Sequence, residues 1–432
     1  MVFMCLIPSW GRDLFGPSND IVMKGFGIVL ISALIRPVAA WILGGIGDKV
    51  GRKYALLISG GIMTISCIVM SVLPSHDEVN FITKYGLTTA LIVACRILQI
   101  ASVSGKLNGL AIFLIEHFPK RAGLISGVIW GSTILGMFLA ALVESQKGLG
   151  WRLPIFIGGI AAFISFVVQY FLNDGSEFTK PTTVETPRRV PKFVAFCIGS
   201  AIGGMFYYCI SYIPISLQMA QPTFNIGWYK CMSLLIYGLA TIVSGLTIDG
   251  DTKIRIFLEY VARCLVFWAM RDMREQFLDR GGTANQLTLS LGFLLQLLVC
   301  IRIPSSLLFP KSIPALWRVT GIGIIGTTII PIAYTIIPDA IILHPLLMLS
   351  LGLFVGPSHR LLYDLFPPQH RYKSTSFYYG LGTAIFGGSA GYICMQLQRI
   401  SPALPLFFIL TCSILGGTGL ILSYKIRPTH AN

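Results

Sequence analysis

The chain has 432 residues, 54% hydrophobic and only 12% charged, with 33 Lys and Arg against 18 Asp and Glu, a net charge of +15. Soluble domains carry about a quarter charged residues, so this composition excludes an ordinary soluble fold and describes an all-α polytopic membrane protein. The basic residues sit in short segments between apolar runs, where they set membrane orientation rather than form a nucleic-acid footprint.

Runs of about twenty mostly apolar residues are long enough to span a bilayer. Met1 to Pro8 supplies less than half of such a run and lacks a basic leader, so a truncated first helix is expected rather than a signal peptide. Complete spans are predicted at 21–45, 54–74, 85–115, 122–144, 153–173, 193–218, 228–248, 317–338, 340–357, 374–396 and 403–424. The polar stretch Asn173 to Lys192 divides the chain. The predicted organisation is an N-terminal helical half over 1–173, a linker over 174–192, and a C-terminal half over 193–432 that carries an insert at 250–316.

Between the first two complete spans lies GGIGDKVGRK, Gly44 to Lys53. Gly44, Gly47 and Gly51 permit close approach of helix ends. Asp48 is suited to accept hydrogen bonds from a neighbouring helix N-terminus or to pair with an arginine. Arg52 and Lys53 add the positive charge that retains such a turn in the cytoplasm. Glycine and aspartate recur at the same spacing at Gly245 and Asp249, which points to an internal repeat of the two halves. Counted over these spans, the segments assigned to the cytoplasm hold 23 Lys and Arg and the opposite segments seven.

Three cations remain inside spans: Arg36 beside Pro37, Arg96 and Lys106. A charge in the bilayer interior is costly and faces a cavity or a partner. Arg96 and Arg36 are read as cavity groups or structural contacts. Lys106 either attracts an anionic or zwitterionic solute or extends to the interface. Gln99 and Asn108 share a helix with Arg96 and are candidate cavity residues. Tyr207, Tyr208, Tyr378 and Tyr379 serve packing or, through cation–π contact, a quaternary ammonium solute. Asp48, Arg52 and Glu116 are read as conformational gates.

Within the insert, Ile254 to Leu278 is too charged to span, and Glu259 and Arg263 form an i,i+4 pair. An amphipathic helix at the cytoplasmic interface is the preferred reading. An even number of crossings, zero or two, keeps the later helices in register. A rival register takes Leu287–Phe309 as the eighth helix and 228–248 as the intruder. The ten cysteines are scattered singly with no C-x-x-C, which supports neither a disulfide framework nor a zinc site.

The turn Gly44 to Lys53 resembles the signature loop between the second and third helices of the major facilitator superfamily. Further segments resemble its metabolite:proton symporter group, which includes proline/betaine, citrate, 2-oxoglutarate and shikimate permeases. These are Arg36-Pro37, Arg96-Ile-Leu-Gln99, Glu116-His-Phe-Pro119 with Arg121-Ala-Gly123, Gly150-Trp-Arg-Leu-Pro154, Glu177-Phe178, Phe366-Pro367 with Arg371-Tyr372, and Tyr379 with Phe386-Gly387-Gly388. The resemblance covers nearly the whole chain outside the insert. It implies two six-helix halves that rock about a central site, with Gly44, Gly47, Asp48, Gly51, Arg52, Lys53, Glu116, Arg121 and Asp249 at the gate. It also implies a monomer in a bacterial inner membrane, with linker and C-terminus cytoplasmic, importing a small polar metabolite with a proton and needing no cofactor beyond the proton gradient. The chain departs from the group at Lys106, where the group carries an acid. This sign reversal, the short first helix and the eroded second loop leave open a degenerate, solute-sensing or uncoupled member. No nucleotide-binding, zinc-protease or nucleophile-elbow run is present, so a membrane enzyme is disfavoured.

Overall fold

A computed structural model describes residues 21–73, 87–145, 152–172, 189–220, 226–250, 252–278, 313–336 and 344–426. The expectations for the first helix, for most of the linker and for Leu287–Phe309 lie outside these residues. The described chain is helical, with no strand among the described residues. Ten of its helical segments are long and apolar enough to cross a membrane. An eleventh, over residues 371–400, is continuous but more polar.

The first described span is two pieces, α1 (Ile21–Ala33) and α2 (Arg36–Lys49). Pro37 has no N–H to donate and its ring disfavours helical geometry just before it, so the helix breaks at Leu34-Ile35. Arg36 therefore sits at a kink. α2 continues through Gly44, Gly47 and Asp48, so the expected loop shrinks to Val50 and Gly51, with Gly51 at φ 142°. The chain continues through α3 (Arg52–Ser71), α4 (Leu87–His117), α5 (Ala122–Ser145) and α6 (Arg152–Phe171).

The C-terminal half begins with α7 (Arg189–Tyr207), inside the expected linker, followed by a π turn at Tyr208–Tyr212 and α8 (Ile213–Ala220). Next come α9 (Ile226–Asp249) and α10 (Thr252–Leu278). α11 (Ala315–Ile336) precedes a span broken at Gly356-Pro357 into α12 (His344–Val355) and α13 (Ser358–Asp364). The last two spans are α14 (Arg371–Gly382), a π turn at Thr383–Gly387 and α15 (Gly388–Ile400), then α16 (Leu404–Lys425). π turns of this kind widen a helix locally and recur beside functional sites.

Two long seams join the halves, α2 with α14 and α9 with α5. These seams are related by the repeat read in the sequence. α9 thus holds the place of the eighth helix, and the rival register is corrected.

The reading of 254–278 as an interfacial helix is also corrected. α10 does not lie across the helix ends; it turns at Gly250 (φ 79°) and runs back along α9. Trp268 meets Trp228, near the far end of α9, with ring centroids 5.5 Å apart. Buried Ala262, Val266 and Ala269 explain this: they form a narrow apolar stripe at helical spacing that fits against a neighbour. The Glu259–Arg263 pair forms as expected, at 2.5 Å.

Large apolar side chains are exposed on the outer faces, among them Phe163, Ile164 and Phe171 on α6 and Phe407, Ile414 and Ile421 on α16. In water such a girdle would drive aggregation; in a bilayer it is the lipid-facing surface.

Candidate functional site

Two constellations lie between the halves: a charged seam at the Asp48 end and a small polar cavity deeper in. At the seam, Asp48 accepts hydrogen bonds from the backbone N–H of Tyr372 (3.2 Å) and Lys373 (2.8 Å), the first turn of α14. Exposed N–H groups and the helix dipole make that terminus a carboxylate site. Gly44 permits the approach, because a Cβ there would stand 2.6 Å from the Lys373 Cα. The second half repeats the device. Asp249 accepts from the N–H of Gly123 (2.9 Å) and Leu124 (2.7 Å) at the start of α5, where a Cβ on Gly245 would run into the Gly123 carbonyl. Each half thus caps a helix of the other.

The Asp48 seam carries an additional ion network. Arg52 pairs with Asp48, donates to Glu116 at 3.3 and 3.4 Å, and reaches the Pro368 carbonyl at 3.1 Å. Arg371 approaches the same Glu116 at 3.6 Å. The side chains of Asp48, Arg52 and Glu116 are only 4–6% exposed. Two cations and two anions balance there, which a low-dielectric site requires. Tyr372 fills the space behind them and donates its hydroxyl to the Gly105 carbonyl at 2.9 Å. Of the other expected gate residues, Gly47 faces the Tyr372 ring, Lys53 lies over the Tyr170 ring, and Arg121 is exposed. Arg371 and Tyr372 entered the sequence reading only as a motif. Their part here depends on α14 meeting α2, which no local pattern reveals.

The cavity is about 50 Å³ and is lined by Arg36, Asn108, Trp130, Tyr207, Tyr379 and Thr383, among others. Arg36 Nη2 donates to the Tyr207 hydroxyl at 2.8 Å, linking α2 to α7. No carboxylate pairs with Arg36 among the described residues. The Asn108 Oδ1 is buried without a hydrogen-bond partner. A larger recess of about 580 Å³ lies on the outer face of α10, and its described lining comes from that helix alone.

The remaining candidates lie outside this lining. Arg96, 3% exposed, donates to Gln99 Oε1 at 2.7 Å and lies within electrostatic reach of Arg36 and Tyr207. Gln99 donates to the sulfurs of Cys67 and Met70, both at 3.5 Å, within the α3–α4 packing. Lys106 turns toward α6 and donates to Ser165 Oγ at 3.1 Å. Tyr208 meets Tyr212 with the rings tilted, and Tyr378 lies under Lys192.

Sequence reasoning missed one further crossing of the halves. Trp130 on α5 donates its indole N–H to Ser358 Oγ at 3.0 Å and stacks on His359 of α13, with centroids 5.3 Å apart and planes 13° apart. The His359 backbone N–H donates to Ser126 Oγ at 3.1 Å.

No family model matches the chain. Among curated proteins, it is 22% identical over 418 residues to the alpha-ketoglutarate permease of Escherichia coli K12, covering 92% of this chain and 83% of that one. It is 22% identical over 422 residues to a putative proline/betaine transporter of Staphylococcus aureus MSSA476, covering 94% and 80%. These relatives are named as transporters, not enzymes. The fold matches the proton:xylose symporter XylE with a TM-score of 0.66 at 12% identity, covering 99% of this chain and 92% of that one. It also matches the human organic anion transporter MFSD10 with a TM-score of 0.59 at 12% identity, covering 98% and 89%. A helical fold shared with major facilitator transporters, ten apolar spans among the described residues and a resemblance to metabolite permeases over more than nine-tenths of the chain together describe a multi-pass membrane transporter.

Proposed function

We propose that the chain is a secondary transporter that imports a small carboxylate-bearing metabolite, an organic acid or a proline/betaine-like zwitterion, together with a proton by alternating access. The observation that carries this reading is Arg36, a guanidinium facing the cavity between the halves, bonded to Tyr207 of the opposite half and ion-paired to no described carboxylate. A guanidinium takes a carboxylate through two parallel hydrogen bonds, and a tyrosine hydroxyl can share it. Arg96 behind them adds positive potential, and Asn108 offers a polar amide on the same wall. A cavity of about 50 Å³ holds little more than a water molecule, so substrate is admitted only when the halves part.

The Asp48 and Asp249 caps act as the gate. The basic bias of the connecting segments puts this end in the cytoplasm, together with the linker and C-terminus. A closed seam there belongs to a state shut toward the cytoplasm. The protein works as a monomer in a bacterial inner membrane and takes its energy from the proton gradient.

The test is counterflow in proteoliposomes with labelled 2-oxoglutarate, citrate, proline and glycine betaine. Saturable exchange of at least one is expected. Arg36→Gln is expected to raise its half-saturation concentration roughly thirtyfold, as for loss of a charge-assisted bond worth about 2 kcal/mol. No exchange of any of the four by folded protein would sink this assignment.

A further inference from the structure

The described acids of the seam are all committed. Asp48 and Glu116 are paired with Arg52, Asp249 caps α5, and Asp364 is bonded to Arg360. Lys106, where an acid was expected from the family resemblance, is bonded to Ser165. Among the described residues, two buried histidines remain. His344 has both ring nitrogens engaged, by Ser233 Oγ at 3.3 Å and the Cys209 carbonyl at 3.2 Å. His359 differs: it is 3% exposed and its Nε2 has no hydrogen-bond partner. It also stands where the halves meet, stacked on a tryptophan that lines the cavity.

We propose that His359 is the proton-carrying group of the transport cycle, with Trp130 as the shutter between it and the cavity. The proposal rests on the transporter assignment above and names its coupling site. In the closed seam the imidazole is neutral, because an imidazolium would be desolvated with no counter-ion among the described residues. The charged groups of its surroundings do not supply one. On α13, Arg360 and Asp364 pair with each other; α5 meets the ring and its backbone with Trp130 and Ser126, both uncharged; on α4, Glu116 is held by Arg52 and Arg371; on α14, Arg371 faces Glu116 and Tyr363. α12, which leads into α13, faces Thr241 and Ser244 of α9.

Opening the seam separates α5 from α13, ends the stack and hydrates the ring. The protonated form is therefore bound more tightly by the open state than by the closed one, and by linkage protonation favours opening. The step is proton transfer alone. A ring nitrogen takes a proton from water reaching it past Trp130 and returns it to water on the opened side, with no other bond made or broken.

The test uses the full chain in proteoliposomes and nanodiscs, wild type against His359→Gln. The first readout is the ratio of uptake driven by an inward proton gradient to counterflow, which moves no net protons. The ratio is expected to fall roughly tenfold in the variant. A ratio equal to wild type, whether both rates are preserved or both reduced, would mean that His359 is only structural and would overturn the proposal while leaving the transporter assignment intact. The second readout needs no substrate. Amide hydrogen exchange over 122–131 and 355–364, corrected for intrinsic pH dependence, is expected to rise as pH falls from about 8 to about 5.5 in wild type and not in the variant. A seam whose protection is independent of pH in wild type would also overturn the proposal. Absence of counterflow in wild type would instead remove the transporter assignment, and the exchange readout would still decide whether His359 switches the seam.

Discussion

Asp48 shows how much one side chain does at the seam. It holds two backbone N–H groups of α14 and the Arg52 guanidinium together, all out of water. Asp48→Ala leaves Arg52 and Glu116 with an incomplete set of partners in a buried site. A loss of about 3–5 kcal/mol of seam stability is expected, as when one member of a buried pair is deleted. Cysteine-accessibility labelling of a thiol placed behind the seam is expected to speed up in proportion. Labelling as slow as wild type would contradict the gate role of Asp48. Asp249→Ala should be milder, because Asp249 holds two N–H groups but no arginine among the described contacts. At this scale the sequence was informative about type and not about partner. Arg36 and Lys106 read alike as intramembrane cations, yet Arg36 faces the cavity and Lys106 faces Ser165. Which face of a helix looks inward is set by the packing of its neighbours.

Between elements, the α5–α9 seam is backbone against backbone. Gly123 meets the Gly245 carbonyl, and Gly127 meets the Thr241 carbonyl. Small residues permit this contact, which in lipid replaces the hydrophobic drive that lipid tails remove. Gly127→Leu is therefore expected to force the helices apart and to abolish transport while leaving the individual helices formed. Unchanged circular dichroism with transport lost is the expected pair of results; normal transport would deny that the seam closes during the cycle. α10 carries its own test. Trp228→Cys and Trp268→Cys introduced together should be joined by a short bifunctional thiol reagent, because α10 runs the length of α9. An interfacial helix would give no such product. Its charge pattern pointed away from the bilayer, but a stripe of three small apolar residues was enough to dock it.

For the whole molecule, the proposed gate is a sum of two similar caps, one of which carries the ion network. Uptake in vesicles is expected to fall to the level of passive exchange when a protonophore collapses the gradient, with counterflow unaffected. Accumulation that persists would assign the chain to uncoupled facilitation.

Composition and apolar run length by themselves determined that the chain is a helical membrane protein and nearly where its described spans lie, while the recurrence of the Gly44 and Asp48 spacing at Gly245 and Asp249 pointed to a repeat of its halves. The reason is physical: a backbone in lipid must satisfy its hydrogen bonds within its own segment, so each span is legible locally. Pro37 and Pro357 mark breaks for the same local reason. What only the tertiary structure decided is which distant residues meet. Asp48 with Lys373, Asp249 with Gly123 and Trp130 with His359 are separated by more than a hundred positions and share no periodicity. Their pairing follows from the angles at which rigid helices cross, a property of the assembled bundle rather than of any one segment.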